Sequence, residues 1–306
     1  MQRTNISWVL DPDGQPGWTW NPIVGCSPAS SGCRSCWAAR MAATRLAHLP
    51  DYRGLATIKR IAQPPAAVST AERATWTGEV RFLPNRLDEP LRRSKPSTIA
   101  VALMGDLFHE KVTNEQIAAV FGVMAACPQH TFWLLTKRAR RMREWFAWAA
   151  NTAATPSDCD VLMQMWTRQW LGEEFPSRPH PDKGPYHSCP WPLPNVRIGV
   201  SIEDRSSLHR LDDLRDTPAA FRYISGEPLL EDLDQFDLTS IDLVIVGCES
   251  GSSARPMEHA WAVSIQQQCQ SAGVPFFFKQ EMVNGKLCHE PTIDGQTWRQ
   301  LPEVRR

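Results

Sequence analysis

The sequence predicts an α/β fold, a full or partial (β/α) barrel that forms one domain over residues 1–306. Short apolar runs alternate with helical patterns along most of the chain, as parallel strands do when helices cover both faces of their sheet. The apolar runs number about eight, which is the strand number of a closed barrel. No glycine fingerprint or Walker loop follows any run, and this disfavours the nucleotide-binding forms of an open doubly wound sheet.

The predicted elements follow one another in a regular order. The strands are predicted at 18–24, weakly at 79–83, and at 98–104, 131–135, 196–201, 221–225, 242–246 and 274–278. Helices are predicted from residue 37, over 113–126, up to 150, near 207–215 and over 258–272. Thr113 and Gln116 have the spacing of a capping box for the second of these helices.

Two stretches lack this regularity. Residues 48–78 have no clear period and are predicted to be a connecting loop. Residues 151–195 contain many prolines and a short helical pattern at 161–171, and they are predicted to be an insertion packed over one end of the core.

Composition restricts the class of protein. The 33 lysines and arginines equal the 33 aspartates and glutamates, so no global charge excess favours nucleic acid or an anionic membrane. No apolar stretch is long enough to span a membrane, and the N-terminus lacks a signal-peptide hydrophobic region. We therefore expect a soluble, cytoplasmic protein with no membrane partner. The nine cysteines, mostly scattered singly, do not resemble a disulfide framework.

Three cysteines are clustered in a CxxxxxxCxxC pattern on the loop after the first predicted strand, at Cys26, Cys33 and Cys36. The CxxC pair can converge on one metal centre, and the upstream thiolate can fold over to join it. Three thiolates are one short of the four that close a zinc site or a standard iron–sulfur cluster. The pattern therefore predicts a metal centre with one open position, where a ligand can bind.

Two alternatives remain open for these cysteines. Zinc is the main one, because Cys189 together with His180 or His187 can supply a fourth ligand from the predicted insertion. A redox-active CxxC pair is the weaker alternative, since it leaves Cys26 without a task.

Polar residues follow nearly every predicted strand. The carboxyl ends of parallel strands line one rim of the fold, and ligands bind at that rim. Each residue alone is most simply a polar strand end, but seven such ends beside three cysteines predict a site. They are Cys26, Asp106 with His109, Thr136 with Lys137, Ser201 with Glu203, Glu227, Glu249 with Ser250, and Lys279 with Gln280.

A basic run at residues 137–143, with Trp145 and Trp148 nearby, has the composition of a nucleic-acid-binding face. The simpler interpretation is a solvated helix face with core tryptophans. The neutral overall charge favours this simpler interpretation.

Several phrases resemble an uncharacterised family of phage and bacterial three-Cys-motif proteins that is radical-SAM-like. They are WNPIVGC (20–26), GCRSCWA (32–38), MGDLF (104–108), LLTKR (134–138), GVSIED (199–204), SGEPL (225–229) and VGCESG (246–251). The resemblance extends over residues 18–280. Radical S-adenosylmethionine enzymes usually have CxxxCxxC, so the first gap is longer here. The family usually has tyrosine where Trp37 stands, and the Gly-Gly-Glu motif typical of the second strand is not visible in this chain.

The resemblance implies that the chain folds as a TIM-like radical-SAM barrel and that the protein is a radical-SAM-like enzyme. Cys26, Cys33 and Cys36 would hold a [4Fe–4S] cluster, and S-adenosylmethionine would bind its fourth iron. With electrons from a reductant protein, the resulting 5′-deoxyadenosyl radical would serve in the modification or repair of a substrate, with nucleic acid as one candidate. The alternative is a zinc-binding or nucleic-acid-interacting phage-type protein without radical catalysis.

The resemblance also implies roles for rim residues. The residues expected to bind the cofactor are Trp37, Asp106, Lys137, Ser201 and Glu203, with Lys137 at the methionyl carboxylate and Ser201 and Glu203 at the ribose. The residues expected to face the substrate as catalytic groups are Glu227, Glu249 and Lys279.

Overall fold

The computed structural model describes residues 1–62, 70–155, 158–172, 175, 190–251 and 254–302, and these form a mixed α/β fold. The helices are α1 (Trp37–Ala43), α2 (Asn114–Ala125), α3 (Ala139–Thr152), α4 (Cys159–Leu171), α5 (Arg210–Arg215) and α6 (His259–Ala272). The strands are β1 (Gln2–Arg3), β2 (Trp18–Trp20), β3 (Ile23–Val24), β4 (Ala56–Ala62), β5 (Thr70–Trp76), β6 (Arg81–Phe82), β7 (Thr98–Val101), β8 (Thr131–Thr136), β9 (Val196–Ser201), β10 (Arg222–Gly226), β11 (Leu243–Gly247), β12 (Phe276–Val283), β13 (Lys286–Cys288), β14 (Thr292–Ile293) and β15 (Gln296–Thr297).

Nine strands form the central sheet, in the order β1-β2-β7-β8-β9-β10-β11-β12-β13. β2, β7 and β8 pair in parallel, and so do β10, β11 and β12, whereas β1 and β13 are antiparallel to their neighbours at the two ends. The strands follow chain order without the reversal that defines a doubly wound sheet. The α/β prediction is confirmed.

Closure of this sheet into a barrel is not found. In the described part of the chain, each end of the sheet is a short antiparallel strand, β1 or β13, and these two strands do not pair with each other. A TIM barrel is therefore not shown. The sequence did not reveal these end strands because both are short and polar, with exposed residues such as Gln2, Arg3 and Lys286.

Burial explains why the parallel strands were the easiest elements to predict. Every residue of β9 and of β11 is buried. Helices that cover both faces of a parallel sheet leave its strands as continuous apolar runs.

The predicted capping box at the start of α2 is confirmed. The Thr113 hydroxyl accepts a hydrogen bond from Gln116 N, and Thr113 N donates to Gln116 Oε1.

The prediction of a connecting loop over residues 48–78 is wrong. β4 and β5 form an antiparallel hairpin there, with Ala56 opposite Trp76 and Ala62 opposite Thr70. The apolar residues of β4 do not alternate, because Ile58 and Ile61 lie three positions apart. The hairpin packs against α1, a contact between segments distant in sequence that periodicity cannot reveal.

The chain divides into two compact units. The first comprises Met1–Val24, Phe82–Gly199 and Asp212–Arg222, and the second comprises Gly25–Arg81, Val200–Leu211 and Tyr223–Arg306. None of the described helices is both long enough and apolar enough to cross a membrane.

The predicted insertion contributes α4 to the first unit. This helix confirms the short helix predicted at 161–171, and it packs closely against α2. A Cβ atom on Gly122 would lie only 2.5 Å from the Met163 carbonyl oxygen, so glycine is what allows the two helices to approach. Residues 173–174 and 176–189, with His180, His187 and Cys189, lie outside the described residues.

The burial of His130 predicts that the stability of the first unit depends on pH. The ring is buried, its Nε2 lies 3.2 Å from the Pro90 carbonyl oxygen, and its Nδ1 has no hydrogen-bond partner in the described structure. Burial lowers the pKa of His130 below its ordinary value of 6.5. The unfolded chain therefore takes up a proton before the folded chain does as the pH falls.

The free energy of unfolding is expected to fall below pH 6.5, with a slope of up to about 1.4 kcal/mol per pH unit from this one group. Urea unfolding between pH 7.5 and 5.0 measures the slope. His130→Gln should flatten it, whereas His48→Gln, at an exposed position, should not. Equal slopes in the two variants would contradict the assignment.

A candidate site around the cysteine loop

Residues 25–36, named here the cysteine loop, carry the three predicted metal ligands and belong to the second unit. The loop begins at Gly25, whose φ is +89° and whose Cβ, if present, would overlap the Glu79 carbonyl oxygen. Glycine is therefore required where the chain turns into the loop. Residues Ser31–Ser35 form one 3₁₀ turn that leads into α1.

None of the three cysteines forms a disulfide, and each is half-buried. Ala29 N donates to Cys33 Sγ at 3.4 Å, and the Ser30 hydroxyl lies 3.9 Å from the same sulfur. Burial raises the pKa of the Cys36 thiol, while hydrogen bonds from the first backbone N–H groups of α1 and from Trp76 act in the opposite direction. Such donors stabilise a thiolate once it forms.

The side chains are not already gathered as a bound metal would require. Among the described residues, no three His, Cys, Asp or Glu side chains lie close enough together to hold a metal ion. The three sulfurs must therefore move closer together if they share one metal centre.

Glu203 ties the cysteine loop to the carboxyl end of β9. Its side chain is completely buried. Its Oε1 accepts a hydrogen bond from the Ser30 hydroxyl at 2.9 Å, and its Oε2 accepts one from Arg210 Nη1 at 2.8 Å. A Cβ on Gly32 would lie 2.7 Å from Glu203 Oε1, so the loop can approach this carboxylate only with glycine at that position. Both carboxylate oxygens of Glu203 are thus engaged within the protein.

A second pair of contacts ties the loop to the carboxyl end of β11. Arg255 Nη1 donates to the Ser31 carbonyl oxygen at 2.9 Å, and Arg255 Nη2 forms an ion pair with Glu249 Oε1 at 2.5 Å. The Ser31 hydroxyl also donates to Asp204. Burial alone raises the pKa of Glu249, but hydrogen bonds from the Arg255 side chain and N–H outweigh it and hold that pKa below its ordinary range. Glu249 is therefore an ionised anchor for Arg255 at neutral pH.

Glu227, directly after β10, forms an ion pair with Lys279, which lies within β12 because that strand extends to Val283, beyond its predicted end at residue 278. Lys279 Nζ lies 2.7 Å from Glu227 Oε1, and both side chains are largely buried. Gly247 makes room for the pair, since a Cβ there would lie 3.0 Å from Glu227 Oε1 and 3.5 Å from Lys279 Cβ. The structure thus joins two of the three residues predicted to face a substrate.

The other predicted residues are distributed between the two units. Ser201 is buried in the second unit, where its carbonyl oxygen accepts a hydrogen bond from Arg210 at 2.6 Å. Trp37 opens α1 and is 51% exposed. Asp106 and Lys137 belong to the first unit. The cofactor roles of these four residues stay predictions.

Asp106 lies within a polar network of the first unit. Its Oδ1 accepts from the Thr136 hydroxyl at 2.8 Å, and its Oδ2 pairs with Arg138 Nη1 at 3.0 Å. Arg138 also donates to Glu110 Oε1 at 3.0 Å. Asp106 therefore connects the end of β7 to the end of β8.

The basic helix α3 is largely neutralised by its own neighbours. Arg140 pairs with Glu144, and Arg143 pairs with Asp213 and Asp216. Trp145 is fully buried, as are the other residues predicted for its inner face, Met142, Phe146 and Ala149. These contacts agree with the simpler interpretation of residues 137–143.

Sequence reasoning missed four polar residues of the second unit: Arg210, Arg255, His259 and Glu281. Arg210 and Arg255 were missed because a lone arginine carries no signal of its long-range partner. Glu281 accepts the Nδ1 proton of His259 at 2.9 Å, and this pair was missed although Glu281 lies two positions after Lys279 on the same strand. A search of strand ends at alternate positions would have found Glu281.

A comparison with protein-family models tests the family resemblance of the seven sequence segments described above. The family model described as "Protein of unknown function (DUF5131)" matches residues 3–302. The chain belongs to the DUF5131 family. The expectation of an uncharacterised family is thereby confirmed. The comparisons of this DUF5131 protein with curated proteins and with solved structures found no match.

Proposed function

We propose that this DUF5131 protein is a radical S-adenosylmethionine-type enzyme whose cysteine loop holds a [4Fe–4S] cluster. The observation that carries the proposal is the attachment of that loop to two strand ends. Glu203 lies two residues after β9, Glu249 lies two residues after β11, and both lead to the loop through hydrogen bonds. Ligands of parallel α/β folds bind at the carboxyl ends of the strands.

The number and chemistry of the three cysteines support such a cluster, which forms once their sulfurs move together. Cys26, Cys33 and Cys36 carry thiols that form no disulfide, and three thiolates leave one iron open to a ligand. Hydrogen bonds from Ala29 N and from the start of α1 already point at two of the sulfurs, and donors of this kind tune a cluster. When bound, the cluster and S-adenosylmethionine would supply a 5′-deoxyadenosyl radical after reduction by a partner protein.

The residues of the chain hold, orient and shield this chemistry. Glu203 and Arg255 hold the cysteine loop through their hydrogen bonds with Ser30 and Ser31, so they position the thiolates. Glu227 and Lys279 form an ion pair at 2.7 Å, and we assign them to the substrate side. The proposal includes a partial (β/α) barrel, which the sequential strand order supports.

Anaerobic reconstitution of the full chain with iron and sulfide tests the proposal. Bound iron and sulfide in equal amounts, a brown protein and release of 5′-deoxyadenosine from S-adenosylmethionine under reductant are expected. A colourless protein that keeps zinc and takes up no iron would overturn the proposal in favour of the zinc-binding alternative.

A further inference from the structure

The segment that contains the cysteine loop is basic, although the whole chain is neutral. Residues 25–81 carry eight lysines and arginines against three acidic residues. All of these residues belong to the second unit. A local excess of this size produces a positive field over the surface that displays it.

Five described cations of this segment are exposed and form no ion pair, whereas Arg81 pairs with Glu79 at 3.3 Å. Arg34, Arg40, Arg45, Arg53 and Lys59 are all exposed. Within the described residues, none of these five side chains forms an ion pair with a carboxylate, in contrast to the arginines of α3. Their charge is therefore available to a partner.

Like charges are placed side by side on the β4–β5 hairpin. Lys59 stands directly opposite Arg73 in the antiparallel register. Side chains of directly opposed residues lie on one face of a sheet, where two like charges are unfavourable. Arg73 Nε in turn donates to the Arg34 carbonyl oxygen at 2.9 Å, which brings the hairpin cations beside the cysteine loop. An anion bound here would relieve the repulsion.

An exposed aromatic ring stands next to these cations. Trp37 is 51% exposed and immediately follows Cys36. Arg40 is also exposed and lies three positions further along α1, on the same side of the helix as Trp37. Ala38, Ala39 and Ala42 form the opposite, buried side of α1. A large ring left open to solvent among unpaired cations has the composition of a surface that stacks bases between phosphate contacts.

We propose that the face formed by Arg34, Trp37, Arg40, Lys59 and Arg73, named here the basic face, binds single-stranded nucleic acid. The cations contact phosphates, and Trp37 stacks on an unpaired base. Because Trp37 adjoins Cys36, we infer from the basic face that nucleic acid is the substrate class of the radical site. This last step rests on the proposed function, whereas binding itself does not.

Fluorescence anisotropy of a labelled oligothymidylate with the cluster-free full chain tests the basic face. Four phosphate contacts predict that log K falls with log salt with a slope of about −3. Arg34→Ala/Arg40→Ala should reduce the steepness of that slope by about 1.4, since two contacts are lost. Trp37→Ala should weaken binding about tenfold, because base–aromatic stacking is lost.

Arg140→Ala/Arg143→Ala is the matched control, because it removes the same charge from α3. This control should bind like the unaltered protein, and a duplex of equal length should bind more weakly than the single strand. The proposal is overturned if the control loses as much affinity as Arg34→Ala/Arg40→Ala, or if polyglutamate competes as well as unlabelled oligonucleotide. A Trp37→Ala variant that loses S-adenosylmethionine binding but keeps oligonucleotide binding would also overturn it.

The two proposals fail separately. Oligonucleotide binding by a protein that takes up zinc and no iron would sustain the basic face and end the radical chemistry. Cluster assembly and 5′-deoxyadenosine release in a protein that binds no oligonucleotide would end the basic face alone.

Discussion

Glu203→Ala is expected to lower the free energy of unfolding by about 3–5 kcal/mol, because it leaves Arg210 buried without its counter-charge. Arg210 is 5% exposed and lies 2.8 Å from Glu203 Oε2. The substitution also removes the acceptor for the Ser30 hydroxyl, so the cysteine loop should loosen. Urea unfolding gives the first quantity, and the rate at which iodoacetamide alkylates Cys33 in the cluster-free protein reports the second.

Glu290→Ala is the matched control for the stability effect. Glu290 also pairs with an arginine, Arg299, but its side chain is 70% exposed. Its loss should cost under about 1 kcal/mol. If the two variants lost similar amounts of unfolding free energy, the burial of the Glu203–Arg210 ion pair would not contribute to stability as proposed. Glu203→Leu/Arg210→Leu should recover part of the stability, because an apolar pair leaves no uncompensated charge.

Ser30→Ala separates attachment of the loop from stability of the core. It keeps the Glu203–Arg210 pair and removes only the hydroxyl that donates to Glu203 at 2.9 Å. The free energy of unfolding should fall by at most about 1.5 kcal/mol. The alkylation rate of Cys33 should nevertheless rise. An unchanged rate would show that this hydrogen bond does not hold the loop.

The features that the sequence predicted well are those with local causes. The capping box at Thr113 needs only two side chains three positions apart, and strand β9 needs only its own apolar residues. The inner face of α3 likewise follows from helical spacing. Each of these signals lies within one element, so periodicity and capping rules are sufficient to find it.

The features that the sequence missed depend on contacts between distant segments. Glu203 was placed correctly at a strand end, but its contacts with Ser30 and Arg210 were not predicted, because neither residue carries a sequence signal of its partner. Its role at a ribose stays a prediction. The strands of the β4–β5 hairpin show no alternation of apolar and polar residues, so the sequence pattern does not predict them. The hairpin packs against α1, and the sequence does not show this contact. The proposed basic face includes Lys59 and Arg73 of the same hairpin, so the sequence pattern did not suggest it. The sequence analysis instead considered residues 137–143 as a nucleic-acid-binding face. The sequence shows the basic residues of this run but not the carboxylates that neutralise them.

Cys33→Ala is expected to abolish cluster assembly and 5′-deoxyadenosine release, since two thiolates cannot replace the three that leave one iron open. Iron and sulfide content, the visible absorption spectrum and the yield of 5′-deoxyadenosine after anaerobic reconstitution are the measurements. The loss should be complete, because the other described cysteines are scattered singly along the sequence, outside the cysteine loop.

Cys288→Ala provides the control for this loss. Cys288 is also a half-buried free thiol, in β13 and outside the cysteine loop. Its removal should leave iron content and 5′-deoxyadenosine yield unchanged, because it supplies no ligand. If Cys33→Ala retained a full complement of iron, or if Cys288→Ala lost it as well, the cysteine loop would not be the metal centre. The attachment of the loop by Glu203 and Arg255 would then serve the fold alone, since positioning has a chemical purpose only if the thiols are ligands.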